Sequence, residues 1–120
     1  MKNNKIFWIA SYPKSGNTWI RSFLSSYLYT ADGIFNNFDI LDKIIRFESK
    51  RFFSNIADSK DILTTPGNIS KYWIKAQNQI VSNSNEYVFI KTHNFCGEIN
   101  NNPFTSSKIT KGFIYVVRDP

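Results

Sequence analysis

Three short apolar runs along the chain predict buried β-strands. The runs cover residues 5–10, 86–91 and 112–117, and each has the length of a strand. The first run ends before Pro13, which cannot continue a hydrogen-bonded ladder. Near-continuous apolar strands are typical of a parallel sheet that is covered on both faces.

Helical patterns lie between these strands. Apolar residues recur at helical spacing within 19–28, 38–53 and 69–81. The first of these patterns forms one apolar stripe, made of Trp19, Ile20, Phe23, Leu24, Tyr27 and Leu28. Strands that alternate with helices predict an α/β fold, a three-layer sandwich with a parallel sheet in the middle.

Composition narrows the class of protein only slightly. A length of 120 residues favours one domain, and a hydrophobic fraction of 42% is enough for a core. The net charge of +6 favours anionic partners. The basic residues are scattered and form no nucleic-acid-binding stripe, so we expect no nucleic acid partner.

The only cysteine, Cys96, excludes an intramolecular disulfide and fits a reducing compartment. The apolar run at 6–10 is too short for a signal core or a membrane span, so we expect a cytoplasmic protein.

The segment between the first strand and the first helix carries the strongest chemical signal. A loop that enters a helix N-terminus presents free main-chain N–H groups, and these groups bind anions together with the helix dipole. Ser15 and Gly16 let a ligand approach the backbone closely. Lys14 adds a positive charge and Thr18 adds a hydroxyl. The sequence therefore predicts an anion-binding, P-loop-like turn.

This turn differs from a Walker A loop, whose pattern is G-x-x-x-x-G-K-[ST]. If Gly16 is aligned with the second glycine, Ser11 takes the place of the first and Asn17 that of the lysine. The lysine stands two residues before the glycine instead, at Lys14. A P-loop nucleotide phosphotransferase or NTPase is therefore disfavoured, although it stays as an alternative function.

Residues 12–19, Tyr-Pro-Lys-Ser-Gly-Asn-Thr-Trp, closely resemble the 5′-phosphosulfate-binding loop of sulfotransferases, which usually has the sequence Tyr-Pro-Lys-Ser-Gly-Thr-Thr-Trp. Those enzymes use 3′-phosphoadenosine 5′-phosphosulfate (PAPS) as the sulfuryl donor. The resemblance implies that Lys14 is catalytic and contacts the phosphosulfate and its bridging oxygen. It also implies no obligatory metal ion, because a sulfuryl group carries less negative charge than a phosphoryl group.

The resemblance assigns the rest of the loop to the nucleotide. The donor-binding residues of the loop would be Lys14, Ser15, Gly16, Asn17, Thr18 and Trp19. Loop amides and Thr18 would hold the 5′-phosphate, and Trp19 matches the position that stacks on adenine. Asn17 is the one departure from the usual pattern, and an Asn side chain can still hydrogen-bond an oxyanion. Taken alone, Trp19 fits a helix core as well as a nucleotide site.

The second signal is Lys91-Thr92-His93, which follows the second predicted strand. In doubly wound sheets ligands bind outside the carboxyl ends of the strands, so His93 is expected on the same edge as the loop. The segment resembles the catalytic segment of cytosolic-type sulfotransferases. The resemblance implies that His93 is the general base and that Lys91 helps to hold the transferring group. An imidazole suits proton transfer because it titrates near neutral pH.

The third signal is at residues 113–120, which resemble the start of the 3′-phosphate-binding motif of the same family. The resemblance implies that Arg118 binds the 3′-phosphate of PAPS, since a guanidinium can engage two oxygens at once. An arginine that caps a strand end, or that pairs with Asp119, is the structural alternative.

Together the three signals indicate the N-terminal part of a single sulfotransferase domain over residues 1–120. The serine and the Gly-rich basic segment that follow in the family have no counterpart here, so we expect a sheet that is incomplete at its C-terminus. The function expected is transfer of a sulfuryl group from PAPS to a hydroxyl or amine of a small-molecule or glycan acceptor. The alternative is an inactive truncated fragment or pseudoenzyme that at most binds nucleotide.

Overall fold

A computed structural model of the chain, which describes residues 5–58, 60 and 66–119, contains both helices and strands. In chain order the elements are β1 (Ile6–Ser11), α1 (Asn17–Tyr29), two 3₁₀ turns (Phe38–Lys43 and Lys50–Phe52), α2 (Pro66–Ile69), a 3₁₀ turn (Ser70–Tyr72), α3 (Trp73–Ser82), β2 (Val88–Thr92), β3 (Glu98–Ile99), β4 (Asn102–Pro103) and β5 (Thr110–Val116). The three predicted strands are present as β1, β2 and β5. The third predicted helix is present as α2 and α3 with a 3₁₀ turn between them.

The three long strands form one parallel sheet in the order β2-β1-β5. The strand nearest the N-terminus therefore lies in the centre, where Trp8 is paired with Ile90 on one side and Phe113 on the other. Because all three strands run in the same direction, the segments that follow them meet at one edge of the sheet.

The main core covers the sheet face that carries Trp8. The indole is fully buried, and its ring centroid lies 5.3 Å from that of Phe47 and 4.9 Å from that of Phe104. The ring of Trp73, at the start of α3, lies 5.3 Å from Phe104, which places α3 on this face. Nε1 of Trp8 donates a 2.9 Å hydrogen bond to Oγ1 of Thr110, so the one polar group of the indole is satisfied.

Helix α1 lies over the opposite face of the sheet. Successive strand residues point to opposite faces, so Ile9 and its partner Ile114 face away from Trp8. Ile20 of α1 lines a surface cavity together with Ile114, and α1 contacts β1. Helices therefore flank both faces of the parallel sheet, and the predicted α/β fold class is confirmed.

Most of the apolar stripe of α1 is exposed, contrary to the usual behaviour of such a stripe, and only Ile20 and Leu24 are half-buried. Trp19, Phe23 and Tyr27 are 71%, 58% and 73% exposed. The buried positions of the helix are instead occupied by small polar residues, among them Ser25 and Ser26. The helical period thus identified the helix but not the face that it buries.

The helix predicted over residues 38–53 is wrong. The segment forms two 3₁₀ turns with an extended stretch between them, which pairs with the free edge of β2. The Phe47 N–H donates to the oxygen of Lys91 at 2.8 Å, and the Lys91 N–H donates to the oxygen of Ile45 at 2.9 Å. These pairings to β2, together with burial of Phe47, override the local helical spacing.

Two smaller features complete the fold. The segment between β2 and β5 contains a short antiparallel hairpin, formed by β3 and β4. None of the helices within the described ranges is long and apolar enough to cross a membrane.

Candidate functional site

The three sequence signals meet at the carboxyl edge of the sheet. In the register of the sheet, Ser11 at the end of β1 is paired with Val116 of β5, and Ala10 is paired with Thr92 of β2. The loop after β1 therefore lies between the segment that starts at His93 and the segment that leads to Arg118.

The loop after β1 has the backbone shape of an anion site. Lys14 and Gly16 have left-handed backbone angles, with φ of 63° and 94°, and α1 begins directly after them. The first intrahelical bond runs from the Ile20 N–H to the oxygen of Gly16 at 3.2 Å. The main-chain N–H groups that precede Ile20 in the first turn have no carbonyl acceptor within the helix, and no described side chain caps this end of the helix. These donors are oriented for an anion at the positive end of the helix dipole.

Asn17 is the one loop residue whose side chain points into the protein. It is 4% exposed, and its Nδ2 donates to the oxygen of Ile9 at 3.3 Å and to Oγ of Ser11 at 3.0 Å. The amide therefore ties the start of α1 to the end of β1. Because the side chain of Asn17 is turned inward, its main-chain N–H is the group that faces a ligand of the loop.

The other loop residues face outward, and a cavity joins them to the end of β5. Lys14, Gly16, Thr18 and Trp19 are exposed, and Ser15 is half-buried. An open cavity of about 540 Å³ is lined on one side by loop and α1 residues, including Ser15, Gly16 and Trp19. Its other side is lined by the end of β5 and by Arg118. The structure thus brings together two of the three predicted segments around one cavity.

His93 is fixed against the end of β1. Its Nδ1 lies 2.8 Å from the main-chain oxygen of Ser11. A carbonyl oxygen can only accept a hydrogen bond, so the neutral imidazole must carry its proton on Nδ1. The lone pair is then on Nε2, and that atom is available to accept a proton.

A glutamate that sequence reasoning missed holds the His93 segment. Oε1 of Glu48 accepts hydrogen bonds from Oγ1 of Thr92 at 2.7 Å, from the His93 N–H at 2.8 Å and from Nδ2 of Asn94 at 3.2 Å. The sequence offered no motif for this residue, because it is one carboxylate in a segment with a helical pattern. Only the pairing of residues 45–47 with β2 brings it beside His93.

Lys91 lies within a cluster of charged side chains beside this glutamate. Its side chain is half-buried. Burial lowers the pKa of the Lys91 ammonium below its usual value, and the nearby cations Arg21 and Arg46 lower it further, while Glu48 raises it in part. Arg21 also has a structural role, because its guanidinium donates to the main-chain oxygens at Leu41 and Ile44.

Comparison with known proteins identifies the family. The family model for the sulfotransferase domain matches residues 4–120. The chain therefore belongs to the sulfotransferase domain family, whose reaction in general is the transfer of a sulfuryl group. A search of curated proteins and a search of solved structures each found no significant match.

Proposed function

We propose that this protein transfers a sulfuryl group from PAPS to a hydroxyl or amine of a small-molecule or glycan acceptor. The observation that carries the proposal is the 2.8 Å contact between Nδ1 of His93 and the oxygen of Ser11. It supports the proposal because it holds the imidazole beside the start of the loop whose main-chain N–H groups suit an anion, with Nε2 free to accept a proton. In-line sulfuryl transfer needs a base and an anion site side by side.

The PAPS donor would lie across the loop, with its 5′-phosphate held by the loop and its 3′-phosphate on the far side of the cavity. The N–H groups of Ser15, Gly16 and Asn17 and the hydroxyl of Thr18 would hold the 5′-phosphate. The exposed indole of Trp19 offers a flat surface for adenine. Arg118, on the far side of the cavity, would engage the 3′-phosphate.

In the proposed reaction Lys14 and His93 have separate roles. The acceptor gives its proton to Nε2 of His93 while its oxygen or nitrogen forms a bond to sulfur. The bond from sulfur to the bridging oxygen breaks, and that oxygen leaves with the electron pair as the 5′-phosphate of 3′-phosphoadenosine 5′-phosphate. The ammonium of Lys14 would stabilise the negative charge on this oxygen. Lys91 would hold the oxygens of the sulfuryl group as it moves.

The test is transfer of labelled sulfate from PAPS to a panel of phenols, amines, alcohols and glycans. We expect Lys14→Ala and His93→Ala each to lower the rate on the order of 10²-fold. Lys75→Ala is the matched control, because Lys75 is an exposed lysine on α3, outside the site. Rates that stay at the wild-type level in both site variants contradict the mechanism.

Two alternative functions have distinct outcomes in a binding experiment. Tight binding of ATP with Mg²⁺, without binding of adenosine 3′,5′-bisphosphate, would indicate a nucleotide phosphotransferase. Binding of adenosine 3′,5′-bisphosphate without transfer to any acceptor would indicate a nucleotide-binding protein that lacks catalysis. The displaced lysine at Lys14 favours adenosine 3′,5′-bisphosphate over ATP with Mg²⁺.

A further inference from the structure

The carboxylate of Glu48 contacts three consecutive residues around the proposed base. Its Oε1 accepts hydrogen bonds from the hydroxyl of Thr92, the main-chain N–H of His93 and the side-chain amide of Asn94. The Thr92 hydroxyl in turn accepts a 3.0 Å hydrogen bond from the Asn94 N–H. One carboxylate oxygen therefore holds both the main chain and the side chains of this turn in position.

The carboxylate is itself held in a fixed place. Phe47, the residue before Glu48, is fully buried against Trp8, and its N–H is bonded to Lys91 in β2. The second carboxylate oxygen, Oε2, is buried and lies 3.6 Å from Nε of Arg46. The glutamate is therefore attached to the sheet and balanced by neighbouring positive charge.

We propose that Glu48 is a positioning residue for His93. It fixes the main chain at His93 so that Nδ1 reaches the oxygen of Ser11 and Nε2 keeps its lone pair for the acceptor. The inference rests on the proposed function, since it takes His93 as the base. Without the carboxylate the His93 N–H and the Thr92 hydroxyl lose their acceptor, and the turn that carries the imidazole is free to shift. A displacement of about 1 Å at a reacting group lowers a rate on the order of 10²-fold.

The tautomer of His93 provides a test that does not depend on activity. His93 is the only histidine in the chain, so the ring ¹⁵N signals of histidine-labelled protein need no assignment. In the wild-type chain we expect a protonated Nδ1 and an unprotonated Nε2 at a pH where the ring is neutral. In Glu48→Ala we expect a mixture of both tautomers, because the contact with Ser11 is lost. Glu48→Gln keeps an oxygen that accepts the same hydrogen bonds and is expected to restore the wild-type signals.

Two further variants serve as controls. Glu98→Gln changes an exposed carboxylate in β3 and should leave the ring signals unchanged. If Glu48→Ala does not fold, Thr92→Val decides the question, since it keeps the side-chain shape but removes the hydroxyl that links Glu48 to Asn94. We expect this variant to show the mixed tautomers as well. Wild-type ring signals in a folded Glu48→Ala or Thr92→Val chain would overturn the proposal.

Kinetics separate this inference from the proposed function. We expect Glu48→Ala to lower kcat on the order of 10²-fold with little change in the Kd of adenosine 3′,5′-bisphosphate, because the loop that binds nucleotide is untouched. Equal loss of nucleotide affinity in this variant would show a general structural role and count against positioning. If wild-type protein transfers no sulfate but Glu48→Ala still changes the tautomer, the positioning stands and the proposed reaction fails.

Discussion

Nδ1 of His93 lies 2.8 Å from the main-chain oxygen of Ser11, so the ends of two neighbouring strands are joined by an imidazole. The bond fixes the distance between the proposed base and the loop that starts after Ser11, where we propose that an anion binds. Movement of either strand end would change the tautomer of His93 as well as its position.

Replacing Arg118 should remove discrimination for the 3′-phosphate. Charge-assisted hydrogen bonds are worth roughly 1.5–3 kcal/mol, so Arg118→Ala should weaken adenosine 3′,5′-bisphosphate binding about ten- to hundredfold. Binding of adenosine 5′-phosphate, which lacks that group, should be unchanged. Calorimetry with both nucleotides measures the difference, and Arg51→Ala is the matched control at another exposed arginine. Equal weakening of both nucleotides would place Arg118 elsewhere.

Gly16 should not tolerate a side chain. A Cβ at this position would meet Cγ1 of Val116 at 3.9 Å, which is an ordinary contact, so the cost comes from the backbone φ of 94°. Gly16→Ala is expected to lower the free energy of unfolding by about 1–2 kcal/mol. Gly112→Ala is the matched control, because a Cβ there meets Phe7 at 3.8 Å without a left-handed backbone. Denaturant unfolding of the two variants checks the prediction, which fails if both are equally stable.

Phe47 supports both the core and the site. It is fully buried among aromatic rings, including those of Trp8 and Phe104. Truncation of a buried phenylalanine typically costs about 3–5 kcal/mol, so Phe47→Ala should lower the free energy of unfolding by that amount. Phe38→Ala, at a ring that is 74% exposed, should change it by less than about 1 kcal/mol. Similar unfolding midpoints for the two variants would contradict the described core.

Lys91 should destabilise the folded chain at neutral pH. Its pKa in the folded chain is lowered, mainly by burial, so the charged form is less favourable in the folded state than in the unfolded chain. The resulting destabilisation is complete below the folded pKa and disappears as the pH rises to the unfolded value, because the unfolded chain binds more protons between the two. Lys91→Met should therefore unfold at a slightly higher temperature than wild type at neutral pH, and this difference should shrink in alkaline solution.

The control for this prediction is Lys75→Met, at an exposed lysine on α3, which should show no such pH-dependent difference. Thermal unfolding followed by circular dichroism at several pH values gives the comparison. A Lys91→Met chain that is less stable than wild type at neutral pH would mean that the attraction between Lys91 and Glu48 outweighs burial.

The sequence indicated those parts of the site that depend on local order. The strand, the turn at Gly16 and the helix that follows lie in one continuous stretch, so their spacing alone predicts the anion-binding shape. The ends of β2 and β5 were also predictable, because apolar runs of strand length precede His93 and Arg118. In a parallel sheet such ends meet at one edge whatever the strand order.

The parts that depend on contacts distant in sequence were not predictable. Residues 45–47 follow a helical spacing, yet their main chain pairs with Lys91 in β2. Glu48 lies beside His93 only because of that pairing, and the two residues are 45 positions apart. The buried face of α1 was missed for a similar reason, because hydrophobic periodicity does not show which stripe the rest of the protein covers.

The left-handed backbone of Lys14 and Gly16 affects the rate and the affinity with which the loop would bind a ligand. Glycine adopts this conformation at no steric cost, but a lysine held in it is unfavourable by itself, and folding meets that cost before any ligand arrives. A loop already bent around the space for an anion loses little conformational entropy on binding. The donor would therefore meet a preorganised receptor, and its association rate would depend on diffusion and charge more than on rearrangement of the loop.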